Sequence, residues 1–315
     1  MYTSLKRTIL LPILCLLIQA SSIAQNYGGS NDLRITDMVY GTLRTPETPT
    51  SKLAILIPDS GPTDRDGNQQ MMRNNSLKLL AKGLAQEGVA SFRYDKRVLT
   101  LLKKNALQEE KLDFTMFIND AVAVVNYFNN QGRFKEVYII GHGQGSLIGM
   151  MAAQQTEIKG FISLAGAGQS IDKTIINQIA LQMPDLKDKA TTAFTTLKKE
   201  GKVKNYSPAL ASIFRPAVQP FMASWMQYDP SIEIAKLTIP VLIVDGTKDL
   251  QVSIEESARL LKSLPTASIK HIEDMNHVLR ITSSDNLENS KSYNNTTAPI
   301  APALVNEITT FIKTH

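Results

Sequence analysis

Three well-separated places in the chain carry residue types suited to acyl-transfer chemistry. The first is Gly141-His142-Gly143-Gln144-Gly145, which follows the apolar run Val137 to Ile140 and precedes a helical stretch. A buried strand entering a helix through such a turn has the form of a nucleophile elbow, whose central residue sits on a strained turn. The residues two before and two after the centre must be small, and the helix N-terminus behind favours developing negative charge. Gly141 and Gly145 meet that demand, but the central Gly143 brings no oxygen. The second place is Asp249, which follows the apolar run Pro240 to Val244, and the third is His277, which follows the run Ala267 to Ile272. Nucleophile position, acid and histidine thus occur in the chain order of one class of catalytic triad. In those roles Asp249 orients and stabilises His277, and His277 acts as general base and then as general acid.

Each of these residues has a plainer reading. A glycine-rich turn also binds dinucleotides as Gly-x-Gly-x-x-Gly, but the third position is Ser146 and the motif lies mid-chain rather than at the first strand. A histidine in a loop is by default a solvated or satisfied side chain, so it is the placement of His277 after the last strand that singles it out. Asp245, directly at a strand end, is the runner-up acid. His142 and His271 read as packing and structural residues. Ser146 cannot take over the elbow, since Gln144 and Ile148 would then have to be the small flanks. Asp64, Arg65 and Asp66 read as a salt-bridged loop anchor, with Lys96 and Arg97 as partners of those acids.

The elements that must position these residues alternate. Leu53 to Pro58 is a continuous apolar run, the mark of a strand buried on both faces. Leu77 to Glu87 has helical spacing and ends at Gly88. Val89 to Tyr94 is the next strand, Phe114 to Phe128 an amphipathic helix, Val137 to Ile140 a strand, Gly145 to Gln155 a helix and Phe161 to Leu164 a strand. The last two strands and a closing helix from Ala301 to Lys313 complete the series. Strand and helix in alternation predict a mostly parallel central sheet with helices on both faces. Residues 168 to 236 break the rhythm with helices and several Pro and Met, and are expected to form a helical cap over the C-terminal sheet edge, where ligands of open α/β sheets bind. Residues 25 to 50 read as a turn-rich leader with short edge strands, and 283 to 297 as a polar loop.

Taken together, these stretches resemble the α/β-hydrolase fold, and within it the bacterial serine-aminopeptidase and esterase-like group. The resemblance covers roughly residues 50 to 315 and rests on Ser60 to Asn68, Tyr94 to Arg97, the elbow, Gly246 to Val252, and Asn276-His277. It implies a cofactor-free hydrolase of ester or amide bonds acting on a small-molecule acyl or ester ligand. Two positions depart from the family pattern, which has serine in place of Gly143 and usually glycine in place of Asp59. The backbone N–H groups of Gln144 and Ser60 are the candidate oxyanion donors. A carboxylate at Asp59 would oppose the oxyanion if it pointed inward, and would be without consequence if it pointed outward.

Two functions therefore compete. In the first, His277 and Asp249 activate a water lodged in the space left by Gly143, and turnover is weak, because loss of a triad serine typically leaves only about 10³–10⁴ over the uncatalysed rate. That reading expects His277 Nε2 to face the Gly143 Cα across a gap for one water, and it weakens if the cap or Asp59 fills that gap. In the second, the cleft is a non-catalytic binding site for an acyl or aromatic ligand.

The bulk properties exclude other classes. The chain has 315 residues, 43% of them hydrophobic and 20% charged, enough for a large core. Lys6 and Arg7 precede an apolar run from Ile9 to Ile18, and Ser22 and Ala24 are the small pair read by a signal peptidase. Residues 1–24 are thus expected to be a cleaved signal peptide, too short in its apolar run for a stable membrane span, and 25–315 an exported, periplasmic or secreted domain. The formal charge is +5, and without Lys6 and Arg7 about +3 remains, too little and too scattered for nucleic acid. The one cysteine, Cys15, falls inside the leader, so no cysteine zinc site or disulfide is expected in the mature domain.

Overall fold

The computed structural model describes residues 28–283 and 285–315. The expected signal peptide lies outside them. Eight strands form one sheet: β1 (Ser30–Arg34), β2 (Tyr40–Arg44), β3 (Lys52–Ile57), β4 (Ala90–Tyr94), β5 (Glu136–His142), β6 (Gly160–Leu164), β7 (Val241–Gly246) and β8 (Ser268–Ile272). Their order across the sheet is β1-β2-β4-β3-β5-β6-β7-β8. β1 and β2 form an antiparallel edge ribbon that joins β4, and every other pairing is parallel. The sheet is therefore mostly parallel, as the alternation of strand and helix predicts.

The apolar runs of the central strands are continuous because both faces are covered. Leu53, Ile55 and Ile57 of β3 enter one core layer, and Ala54 and Leu56 enter the other. On the first face lie α3 (Phe114–Gln131), α4 (Gln144–Ala153) and α10 (Ile254–Ser263). On the second lie α1 (Ser76–Gln86) and α12 (Pro302–Thr314). Helix α3 begins where the Asp113 side chain accepts the Thr115 N–H and stops at Gly132 in the left-handed region, φ 64°. Two further short helices are α2 (Arg97–Lys103), which follows β4, and α11 (Asn286–Ser292), which follows β8.

Between β6 and β7 the chain builds α5 (Ile171–Gln182), α6 (Lys187–Glu200), α7 (Ala211–Phe214), α8 (Gln219–Trp225) and α9 (Pro230–Ile234). The first four share a core of their own around Ile179, Phe194, Leu197, Phe214 and Met222. The final helix behaves differently from the expected cap: Ile234 of α9 is fully buried in the main core beside α4 and α10. The insertion is thus helical, with its apolar face turned upon itself, and it rejoins the body at α9. Among the described residues no helix is long and apolar enough to cross a membrane.

Candidate active site

Register places the site. In the parallel ladder of β3 and β5, Ile57 pairs with Gly141. Two residues further on each strand, Asp59 stands beside Gly143. Gly143 turns the chain from β5 into α4 with φ 54° and ψ −118°, a backbone that L side chains rarely adopt. The close approach of α4 to the end of β3 depends on Gly145, where an added Cβ would meet Ile57 O at 2.3 Å and Pro58 O at 2.8 Å. The backbone of the elbow is therefore present in full.

The space above Gly143 is not empty, contrary to the gap for one water. A Cβ on Gly143 would lie 2.0 Å from Asp59 Oδ1. Asp59 points inward. Its Oδ1 accepts the Gln144 N–H at 2.8 Å, and its Oδ2 accepts from His277 Nε2 at 3.1 Å. The backbone donor expected to hold an oxyanion is thus already bonded to a carboxylate. Ser60 lines the cleft beside it, and its carbonyl accepts from Thr63 Oγ1 and Gln69 Nε2.

His277 lies in the loop after β8. Its Nδ1 donates to Asp249 Oδ2 at 2.7 Å, and the other carboxylate oxygen of Asp249 accepts the N–H groups of Gln251 and Val252. Asp245, the alternative acid, pairs instead with His271. His142 lies beneath the imidazole, ring centroids 4.8 Å apart, and its Nε2–H donates to the His277 carbonyl at 2.8 Å. The packing role read for His142 is therefore also a positioning one.

Both nitrogens of His277 face carboxylates, so both carry protons. Burial opposes that charge, but Asp249 and Asp59 outweigh it and push the pKa up to about 10. Burial would likewise raise Asp59, but the hydrogen bond and charge of His277 hold its carboxyl well below the usual range. His142 is pushed down to about 4 by burial and by the neighbouring imidazolium, and stays neutral. Asp59 and His277 thus rest as a carboxylate–imidazolium pair.

Lys96, read from the sequence as a partner of the loop acids, reaches the elbow instead. It does not pair with Asp64 or Asp66, as its position after Tyr94 led us to expect. Its Nζ is buried, donates to Gln144 Oε1, and lies over the Phe117 ring. Burial lowers its pKa to about 7, partly offset by the charge of Asp59. Arg97 also departs from expectation and makes a two-pronged ion pair with Asp120, both bonds 2.7 Å. The loop anchor is built otherwise: Arg65 pairs with Asp95 and Asp32, Arg93 pairs with Asp66, and Asp64 caps the turn by accepting the Asp66 and Asn68 N–H groups. Ser146 is buried and shares a 2.7 Å hydrogen bond with Ser163, away from the histidine.

Above these residues lies a cleft of about 250 Å³. Asp59, Gly143 and His277 form its floor, Leu147 and Val252 its sides, and Ile175 and Trp225 of the insertion its roof. Trp225 stacks on Phe114 of the body, centroids 5.5 Å apart and planes 3° apart.

Comparison with known proteins agrees with this architecture. Residues 74–281 match the family model of the serine aminopeptidases, S33. The esterase EstD of Thermotoga maritima is 26% identical over 235 residues, 71% of this chain, and the chain spans about half, 54%, of that relative's length. Est1E of Butyrivibrio proteoclasticus superposes with a TM-score of 0.57 at 18% identity, covering 91% of this chain and 100% of that one. An esterase of Pyrococcus furiosus superposes with a TM-score of 0.56 at 14% identity, covering 91% of each chain. With the sheet order, the elbow backbone and the Asp249–His277 pair in place, the chain belongs to the serine aminopeptidase S33 family of α/β-hydrolases.

Proposed function

We propose that this esterase-like α/β-hydrolase binds a small acyl or aromatic ligand in the cleft and that its ester turnover by the serine route is weak or absent. The observation that carries this reading is the Asp59 carboxylate lying against Gly143. It takes the Gln144 N–H that would stabilise an oxyanion and the His277 Nε2 that would take a proton from a nucleophile. An imidazolium cannot act as a base, so the histidine is unavailable at neutral pH for serine-type or water-type attack. With serine lost, a hydrolase of this kind would keep about 10³–10⁴ from its oxyanion hole and binding alone; here the Gln144 donor is also engaged. The cleft favours a partly aromatic ligand, with Trp225, Ile175, Leu147 and Val252 around a polar floor. Est1E has been solved with ferulic acid bound, which is in keeping with that class of ligand.

The test is hydrolysis of a short activated aryl ester by the parent and by the pair Asp59→Gly with Gly143→Ser. The parent should be inert, and the double variant should release a burst of phenol as an acyl-enzyme forms. Turnover by the parent that vanishes in His277→Ala would overturn the reading and restore histidine-activated water. Export rests on the leader residues Lys6, Arg7, Ser22 and Ala24; an intact mass beginning at Gln25 in the secreted or periplasmic fraction is the expected result.

A further inference from the structure

Two groups on the floor of this cleft could hold the carboxylate of a ligand: the N–H at the start of α4 and the protonated histidine. Both are taken. Asp59 Oδ1 accepts the Gln144 N–H at 2.8 Å, and Asp59 Oδ2 accepts from His277 Nε2 at 3.1 Å. The protein supplies its own carboxylate where a ligand's would bind. The Asp59 side chain is 16% exposed and lines the floor, so its charge faces whatever enters.

No second cation takes over the role. Among the described residues that line the cleft there is no lysine or arginine. His277 is enclosed between Asp59 and Asp249. Lys96 is near, but its Nζ donates to Gln144 Oε1 and lies over the Phe117 ring, and the residue does not line the cleft. Toward solvent, Gln169, Thr174, Gln178 and Gln251 line both the cleft and an outer groove of about 480 Å³, so the two spaces are continuous. The ionisable residues lining that groove are Asp249 and Glu256, both acids, and Glu256 is paired with Arg259. What is left to meet a polar ligand is hydroxyls and carboxamides, which donate and accept without carrying charge.

We propose that Asp59 selects the ligand by charge: the cleft admits uncharged acyl compounds, amides and esters of short arylalkanoic acids being the class, and rejects the corresponding free carboxylates. This rests on the reading of the cleft as a site for a small acyl or aromatic ligand. An entering carboxylate meets a like charge at the floor and finds both floor donors engaged, and a charge that is desolvated beside a like charge is strongly disfavoured. An amide or ester brings a neutral carbonyl, which asks for one donor, and the side chains of Ser60, Gln178 and Gln251 line the path. A cation gains little, because Asp59 and Asp249 are already paired with the imidazolium. Asp59 is thus a specificity-determining residue as well as the plug over Gly143.

The experiment is isothermal titration calorimetry of the full chain with 3-phenylpropanamide and 3-phenylpropanoate, which share a skeleton and differ in one charge. At neutral pH the amide should bind the parent about tenfold more tightly than the acid, or better. In Asp59→Asn the preference should vanish or reverse through a gain by the acid. A check that needs no variant is the pH dependence of the parent. The charged and titratable groups around Asp59 are His277, His142, Asp249, Lys96 and Tyr293. His277 holds the Asp59 carboxyl well below the usual range, so Asp59 stays charged while the ligand's carboxyl takes up its proton. The acid should therefore gain affinity as pH falls through the ligand's own pKa, with the amide as control for the titration of His142 near 4. A gain centred near pH 7 would assign the discrimination to Lys96 and overturn the role of Asp59. Equal affinities in the parent, or an unchanged preference in Asp59→Asn, would overturn this inference and leave the proposed function standing. Failure of both compounds to bind would overturn the two together.

Discussion

Asp59 and Gly143 exclude one another: the carboxylate of the first fills the volume that a side chain on the second would need, with 2.0 Å between Oδ1 and the position of a Cβ. The two positions thus share one volume. Gly143→Ser alone should overpack the site and cost about 1–3 kcal/mol. With Asp59→Gly added, that loss should be recovered in part, a coupling of about 0.5–3 kcal/mol for residues in contact. Urea unfolding of the parent, both single variants and the double variant measures it. Additive single effects would show that the two residues do not share one space.

The charge on His277 has a sign that stability can read. Its folded pKa of about 10 lies above the unfolded value near 6.5. The stabilisation from its two carboxylate partners is therefore complete below pH 6.5 and is lost as pH rises through 10. The difference in unfolding free energy between parent and His277→Gln should shrink across that window. Lys96, with its pKa lowered to about 7, drives stability the other way between 7 and 10.5, but it is common to both proteins and drops out of the comparison. A difference that does not change with pH would mean that His277 is neutral in the folded protein.

Asp249 and Asp245 stand four residues apart in sequence and do different work. The Asp249 side chain is 1% exposed and bonded to the buried imidazolium, so Asp249→Asn should cost about 3–5 kcal/mol, the range for removing one partner of a buried ion pair. Asp245 pairs with a His271 side chain that is 42% exposed, and its own pKa is raised by burial, so Asp245→Asn should cost little. Thermal unfolding of the two variants side by side distinguishes them, and equal losses would contradict the assignment of the acid.

Gly145 is the contact that brings helix to strand. Gly145→Ala should cost about 1–3 kcal/mol or more, because its Cβ would press on the Ile57 and Pro58 carbonyls, which cannot move without the sheet. The displaced α4 should also release Asp59 from the Gln144 N–H. NMR of the His277 ring protons would show this as a change in its titration. A variant as stable as the parent with an unchanged histidine would show that the approach of α4 is not fixed by this glycine.

Much of this was legible in the chain. The continuous apolar runs of β3, β5 and β7, the glycines at positions 141 and 145, and the order of Asp249 and His277 all follow from period and placement. The direction of Asp59 was not, because it depends on the β3–β5 register, a relation between strands that neither strand states by itself. The hint lay in two positions read together, a carboxylate at Asp59 and a glycine at the elbow centre, Gly143. Lys96 was hidden by its neighbours, since a lysine beside Arg97 and in reach of the Asp64–Asp66 loop reads as an ion-pair partner of those acids. Helix α11 falls in a stretch read as loop. It carries no apolar face, and is held instead by the Asp285 cap and by Asn289, which bonds to Asn276 and to the Lys248 carbonyl.

Trp225 has a consequence for anyone studying this cleft. It is the single tryptophan of the 315-residue chain, and its indole forms part of the cleft wall while lying flat on Phe114. Indole emission from this protein therefore originates at one spot, within contact range of whatever occupies the pocket. The molecule carries its own optical probe, so a fluorescence titration reads occupancy directly, without label, turnover or separation.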